Sequence, residues 1–163
     1  MKELPHSHAC FVCGESNPLG LNLRSETDGR TVRVRFSFGP GHVGFRDTVH
    51  GGLTATVLDE LMSWACTVPT RRFAYCAGLS VRYRAPVRPG RPLTATAELV
   101  ADHRGRLYEA KSELRDEQGV LLATATGKYV PIPETDLPAM AADMIGRLPW
   151  DTTGEVPAEV PLA

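Results

Sequence analysis

Residues 48–68 read TVHGGLTATVLDELMSWACTV, and this stretch decides the architecture. On a wheel of about 100° per residue, Leu53, Val57, Leu58, Leu61, Met62, Trp64 and Ala65 cover a broad apolar arc. Thr56, Asp59, Glu60, Ser63 and Thr67 share the narrow sector that remains. A helix apolar over most of its circumference is mostly buried. Its thin polar stripe is therefore the place to look for chemistry.

Upstream, Val32, Val34, Phe36 and Phe38 alternate with Arg33, Arg35 and Ser37, the period of a half-buried strand over Thr31–Phe38. Leu19–Ser25 reads as its partner strand, joined through a turn at Thr27-Asp28-Gly29. Residues 39–44 break the sheet as a loop. Downstream come four more strands, around Leu79–Tyr83, Leu93–Leu99, Leu107–Leu114 and Val120–Val130. Turns at Arg88-Pro89-Gly90, Arg104-Gly105 and 116–119 separate them, and such short connections favour antiparallel neighbours. The order predicts an α+β fold: an antiparallel sheet of about six strands against one long helix. One helix leaves sheet edges uncovered, so a homo-oligomer, dimer or tetramer, is expected. After Pro131 the chain is rich in Pro and Ala. Asp136 is expected to cap a short helix over Leu137–Leu148, with Pro138 in its first turn. Residues beyond Trp150 are expected to be loose.

The chain has 163 residues, enough for one domain with a tail. Its 18 Lys+Arg against 19 Asp+Glu argue against a nucleic-acid partner, which needs a basic excess. Asp59 and Glu60 interrupt the longest apolar-leaning stretch, 48–70, so no membrane span is expected. Residues 1–13 contain no apolar leader, and Cys10, Cys13, Cys66 and Cys76 read as reduced thiols; a cytoplasmic location is the expectation.

His50-Gly51-Gly52 stands at the start of the helix. Paired glycines let a ligand approach the backbone, and the first helical turn offers unpaired N–H donors with a positive dipole end. That combination suits a developing oxyanion. Asp59, two turns on, is placed to serve as general base or nucleophile. The plainer alternatives are a tight turn into the helix, a packing role for His50, and Asp59 or Glu60 paired with Arg71 or Arg72. Arg82 and Arg84 share a strand face near Arg88 and Arg91; they read either as a solvated face or as a phosphate-binding pair. His6, His8, Cys10 and Cys13 are all metal-ligand types, but they lie closer together than the two halves of a usual structural zinc site. No βαβ context supports a redox Cys-x-x-Cys. The segment therefore reads as a turn packed over the sheet or over a substrate pocket.

The stretch His50–Glu60 closely resembles the signature of hotdog-fold acyl-CoA thioesterases, the phenylacetate-degradation type in particular. These carry His-Gly-Gly at the start of the central helix and an acidic residue nine positions after the His, here Asp59. Leu79–Val87 is similar to the family's strand leading into a Pro-Val turn. Cys10-Phe11-Val12-Cys13-Gly14 with Asn17-Pro18-Leu19-Gly20 is similar to the opening of many bacterial members. The resemblance implies a hotdog domain over 19–132, preceded by a turn-rich segment 1–18 and followed by an extension 133–163, partly helical and then loose. It implies active sites shared across a dimer interface and an acyl-CoA substrate, hydrolysed to free acid and CoA. Asp59 would be the base or nucleophile, with Glu60 as the alternative acid. Gly52, with Gly51, would offer backbone N–H to the thioester oxygen, and His50 would orient the loop or the carbonyl. Ser63 and Thr67 would hydrogen-bond the acid or a water, Arg82 and Arg84 would meet CoA phosphates, and Phe45 and Trp64 would line the acyl site. No metal or redox cofactor is implied, since a thioester is already activated. Many family members carry an Asn shortly before His-Gly-Gly, where this chain reads Gly44-Phe45-Arg46-Asp47-Thr48-Val49. A non-catalytic acyl-CoA-binding module is the alternative reading. A hydratase fits less well, because that branch spaces Asp and His five apart whereas Asp47 and His50 are three apart.

Overall fold

The structure is a computed structural model and describes residues 1–150; the expectation for the chain beyond Trp150 lies outside the described residues. In chain order the elements are β1 (Lys2–Glu3), β2 (His6–Ser7), β3 (Glu26–Thr27), β4 (Thr31–Phe36), β5 (Val43–Phe45), β6 (Thr48–Val49), α1 (Gly51–Thr70), β7 (Ala74–Tyr83), β8 (Leu93–Asp102), β9 (Tyr108–Asp116), β10 (Leu121–Pro131), α2 (Leu137–Ala142) and β11 (Met144–Ile145). Seven of the strands form one antiparallel sheet in the order β1-β3-β4-β8-β9-β10-β7.

α1 lies across the middle of this sheet and is buried along Val57, Leu58, Leu61, Met62, Trp64 and Ala65. The inward positions of β8, β9 and β10 are mostly small, with Ala95, Ala97, Ala110, Ala123, Ala125 and Gly127 all buried. Small side chains let the helix sit close to the strands, and its large residues fill the gap. The described part thus has the hotdog architecture, a curved antiparallel sheet around one long helix, as expected.

Several boundaries differ from the sequence reading. α1 starts at Gly51, not Thr48, because Thr48 and Val49 pair with Phe45 and Val43. It runs on to Thr70 and stops where Arg71 turns left-handed at φ 57°. The predicted strand over 19–25 does not form; only Glu26 and Thr27 pair with β4. Backbone donors of that stretch go instead to the N-terminal turn, Leu21 N–H to Phe11 C=O at 2.7 Å and Leu23 N–H to Val12 C=O at 2.8 Å. Residues 1–18 are accordingly woven into the domain: β1 joins the sheet edge, and Leu4 and Val12 are in the core. The seventh strand of the sheet comes from this segment. α2 ends at Ala142 because Met144 and Ile145 pair with Ser7 and His6. Asp136 does not cap it; its carboxylate instead accepts from the Tyr75 hydroxyl at 3.2 Å.

β7 forms the opposite edge. Pairing on one side only, it leaves most of its ten residues exposed, including Tyr75, Leu79 and Tyr83. Against β10 its register slips between Lys128 and Tyr129, so that Ala77 is an extra residue. Such a bulge bends the strand and re-aims the side chains beside it; here these include Cys76.

Candidate active site

The helix start is built by His50. Its backbone is extended, at φ −60° and ψ 127°, and its ring folds back so that Nδ1 accepts the Gly52 N–H at 2.9 Å. A neutral imidazole accepting at Nδ1 carries its proton on Nε2. The ring is exposed, so this Nε2–H is an available donor. A Cβ at Gly44 would come within 3.0 Å of the same ring, which makes Gly44 part of the seat for His50. The sequence reading gave Gly52 N–H to the substrate oxygen; the structure spends that donor on His50 Nδ1, because a side-chain acceptor two residues upstream satisfies the first turn. Tyr83 donates its hydroxyl to Gly51 C=O at 2.7 Å and fastens β7 to the helix start. Beside it opens a cleft of about 390 Å³ lined by Phe45, Thr48, Gly51, Thr54, Tyr83 and Arg84 among others.

Asp59 is partly buried and faces β10 and β7. The Tyr129 hydroxyl donates to its carboxylate at 2.8 Å, with a longer contact of 3.3 Å to its backbone carbonyl. Tyr129 has no exposed surface, and its pKa is pushed upward by burial first and then by the Asp59 charge. The phenol is therefore a fixed donor. A Cβ at Gly127 would lie 2.6 Å from the Tyr129 ring, so glycine there makes room for it. The Cys76 thiol also faces Asp59; burial, then that carboxylate, raise its pKa.

Neither Tyr129 nor Cys76 was among the residues predicted from sequence. The signal for Tyr129 was faint: an inward-facing run of Ala123, Ala125 and Gly127 on β10, small positions that leave room before one large polar-tipped ring. Nothing in the sequence pointed to Cys76, whose orientation depends on the bulge.

Glu60 goes elsewhere. It lies against Cys10, Cys13 and Trp64, and burial together with the Cys10 charge pushes its pKa up to about 7. The near-100° turn between consecutive helical residues separates it from Asp59, as the wheel predicts. Its carboxylate and the two sulfurs have ligand atoms within 4.8 Å of one another. His6 and His8 do not join them; both approach Glu15, at 3.1 and 3.8 Å.

Ser63 and Thr67 do not reach the Asp59 carboxylate. Their hydroxyls donate to backbone carbonyls: Ser63 to Ala74 at the start of β7 at 3.3 Å, and Thr67 to Ser63 at 2.9 Å, the usual back-bonding of a hydroxyl within a helix. Trp64 is not in the cleft either; it packs edge-on to Phe73 in the core. Phe45 does line the cleft and is 83% exposed. Arg82 and Arg84 are exposed and take no ion pair among the described residues, whereas Arg88 donates to Asp47 C=O at 2.7 Å and Arg91 approaches Glu117 at 3.9 Å.

The sheet wrapped on α1, with His-Gly-Gly at the helix start and a tyrosine-held aspartate farther along, is a hotdog fold, the fold of solved thioesterase-superfamily proteins. The family description "Thioesterase superfamily" matches residues 47–123, from the loop before α1 into β10. No curated protein matches the sequence. Among solved structures, the thioesterase superfamily protein RHA08564 is 28% identical, with a TM-score of 0.68 over 76% of this chain and 60% of its own. The present chain thus spans 60% of the length of that protein. The E. coli PaaI protein of the phenylacetic acid degradation operon is 20% identical, with a TM-score of 0.63 over 69% of this chain and 81% of its own. The smu.793 protein of Streptococcus mutans, solved bound to acetyl CoA, is 18% identical, with a TM-score of 0.63 over 68% of this chain and 89% of its own. At that distance, these two are likenesses of fold.

Proposed function

We propose that the protein is a cytoplasmic acyl-CoA thioesterase, hydrolysing a thioester to free acid and CoA in sites shared between two copies of the chain. One observation carries the reading: a carboxylate oriented by a buried phenol lies on the same helix as an outward-facing imidazole N–H, but out of its reach. Asp59 lies seven residues beyond Gly52, about 10 Å along the axis at ~1.5 Å per residue. A carbonyl held at the helix start by the His50 Nε2–H and the Gly51 N–H cannot also be attacked through Asp59 of the same chain. A second copy, paired antiparallel along the free edge of β7, would supply the other half. The exposed Tyr75, Leu79 and Tyr83 along that edge support such pairing.

In this arrangement Asp59 of one copy takes a proton from water, and the oxygen adds to the thioester carbon. The developing oxyanion is stabilised by the donors at the other copy's helix start. The C–S bond then breaks, the CoA thiolate takes the proton, and the acid leaves. Arg84, at the cleft, and its neighbour Arg82 are suited to CoA phosphates, and the acetyl CoA bound by the Streptococcus mutans protein supports a ligand of this class on this fold. Phe45 would flank the acyl group.

The test is release of free thiol from a panel of acyl-CoA esters by wild type and by Asp59→Asn, with CoA-ester binding measured alongside. Turnover lost in the variant with binding retained is the expected result. Equal turnover would remove Asp59 from the reaction. Binding without turnover of any ester by the wild type would instead indicate an acyl-CoA-binding module.

A further inference from the structure

The Cys10-x-x-Cys13 turn is not used by the proposed hydrolysis, yet it is more highly organised than a loop covering a core needs to be. Gly14 N–H donates to Cys10 C=O at 2.8 Å, and Val12 N–H donates to Cys10 Sγ at 3.3 Å. A Cβ at position 14 would sit 2.3 Å from that carbonyl oxygen, so the turn requires glycine after the second cysteine. The effect is to aim both sulfurs at one point. From the other side, 47 residues later in the chain, α1 aims Glu60 at the same point, and the three ligand atoms fall within 4.8 Å of one another.

We propose that Cys10, Cys13 and Glu60 form a binding site for a thiophilic divalent cation, zinc by its chemistry, with water completing a tetrahedron. The distances suit it: at metal–sulfur bonds of about 2.3 Å, two corners of a tetrahedron stand ~3.8 Å apart. From the observed 4.8 Å limit, the two sulfurs need to approach by no more than about 1 Å to reach that. The donor types suit it too, because paired thiolates select zinc over magnesium or calcium. Charge points the same way. Asp143 acts on Cys10 and Asp59 on Glu60, both negative, so this partly buried cluster lies in a negative field that a cation would relieve. Without metal, the Cys13 thiol hydrogen-bonds Cys10, which lowers the Cys10 pKa and raises that of Cys13. On binding, the cation takes the place of the proton on the Cys13 thiol, which passes to solvent, with no change of oxidation state.

Such a site would tie the N-terminal turn to the central helix one residue beyond Asp59. It would thereby anchor the segment that contributes Leu4 and Val12 to the core.

The experiment uses the full chain with thiols reduced, loaded with Co²⁺ as a spectroscopic probe and separately with Zn²⁺. Expected are a thiolate-to-cobalt charge-transfer band, tetrahedral ligand-field bands, and about one zinc per chain retained through gel filtration. Cys10→Ser/Cys13→Ser should abolish the charge-transfer band. Glu60→Gln should weaken zinc binding by about tenfold or more, since even partners outside the ligand shell are worth ~10–100-fold. If the double variant fails to fold, zinc-edge X-ray absorption on the wild type decides the matter: two sulfurs in the shell support the site, and an all-nitrogen-and-oxygen shell overturns it. A folded, reduced wild type that retains no metal and shows no charge-transfer band also overturns it, as does a Cys10–Cys13 disulfide in freshly purified protein. None of these readouts depends on thioester hydrolysis, so the metal site and the proposed activity can fail separately.

Discussion

Replacing Tyr129 by Phe removes one oxygen and leaves the ring in place, which isolates the bond to Asp59. That hydroxyl is fully buried and donates at 2.8 Å to a carboxylate oxygen. A hydrogen bond to a charged group is worth about 1.5–3 kcal/mol. Asp59 is only partly buried, so water can take over part of the duty and the lower end applies, ~1.5 kcal/mol. For a chain of this size ~1 kcal/mol moves Tm by roughly 2–4 °C, so Tyr129→Phe should lower it by about 3–6 °C. In catalysis the phenol fixes the direction of the carboxylate. A displacement of about 1 Å can slow a positioned reaction by ~100-fold, and kcat is expected to fall by about 10- to 100-fold with KM nearly unchanged. The assay is thiol release from a turned-over acyl-CoA, beside thermal unfolding of the same preparations. Asp59→Asn serves as a control, since its amide oxygen can still accept from Tyr129: stability should be largely retained while turnover is lost. Coupling between the two positions is read from the double variant. A Tyr129→Phe protein with wild-type kcat would refute the positioning argument, and one with wild-type Tm would refute the bond.

Gly127→Ala should act on the same bond from behind, because the new methyl meets the Tyr129 ring; unfolding in urea should show a loss of about 1–3 kcal/mol, accompanied by a fall in kcat. Arg82→Ala/Arg84→Ala should raise KM for CoA esters about tenfold, equivalent to ~1.4 kcal/mol, yet leave KM for pantetheine esters, which lack the nucleotide phosphates, unchanged; steady-state kinetics on both substrates checks this. The Glu26 carboxyl is held below its ordinary value of 4.5 by Arg33, through hydrogen bonds at 2.6 and 2.8 Å. A depressed carboxylate contributes stability above its unfolded pKa and loses it as pH falls through the lower folded value. Arg33→Gln should therefore reduce stability at neutral pH and flatten its decline below about pH 4.5, as read by unfolding across acidic pH.

Periodicity alone located the central helix and the long strands, because burial of one face imposes a pattern of period 3.6 or 2 whatever the partner. It also marked the polar stripe and the glycine pair at the helix start as candidates, since these are features of the chain itself, while the preference for Asp59 over Glu60 came from the family resemblance. Boundaries were less legible. The stretch 19–25 has strand-like composition, but its backbone bonds are taken by Phe11 and Val12, a competition between segments that no local pattern records. Which donor serves which acceptor was decided by tertiary structure. Gly52 N–H turned out to belong to His50 Nδ1, and the Asp59 carboxylate to Tyr129, 70 residues away. Glu60 was directed to two cysteines of the N-terminal turn, not to the polar site of its neighbour. The sequence by itself determined the helix, the sheet and the residue types available for chemistry, because hydrophobic patterning is local. Only folding determined their pairing, because hydrogen bonds and ligand geometry act over a few ångströms between residues that the chain keeps far apart.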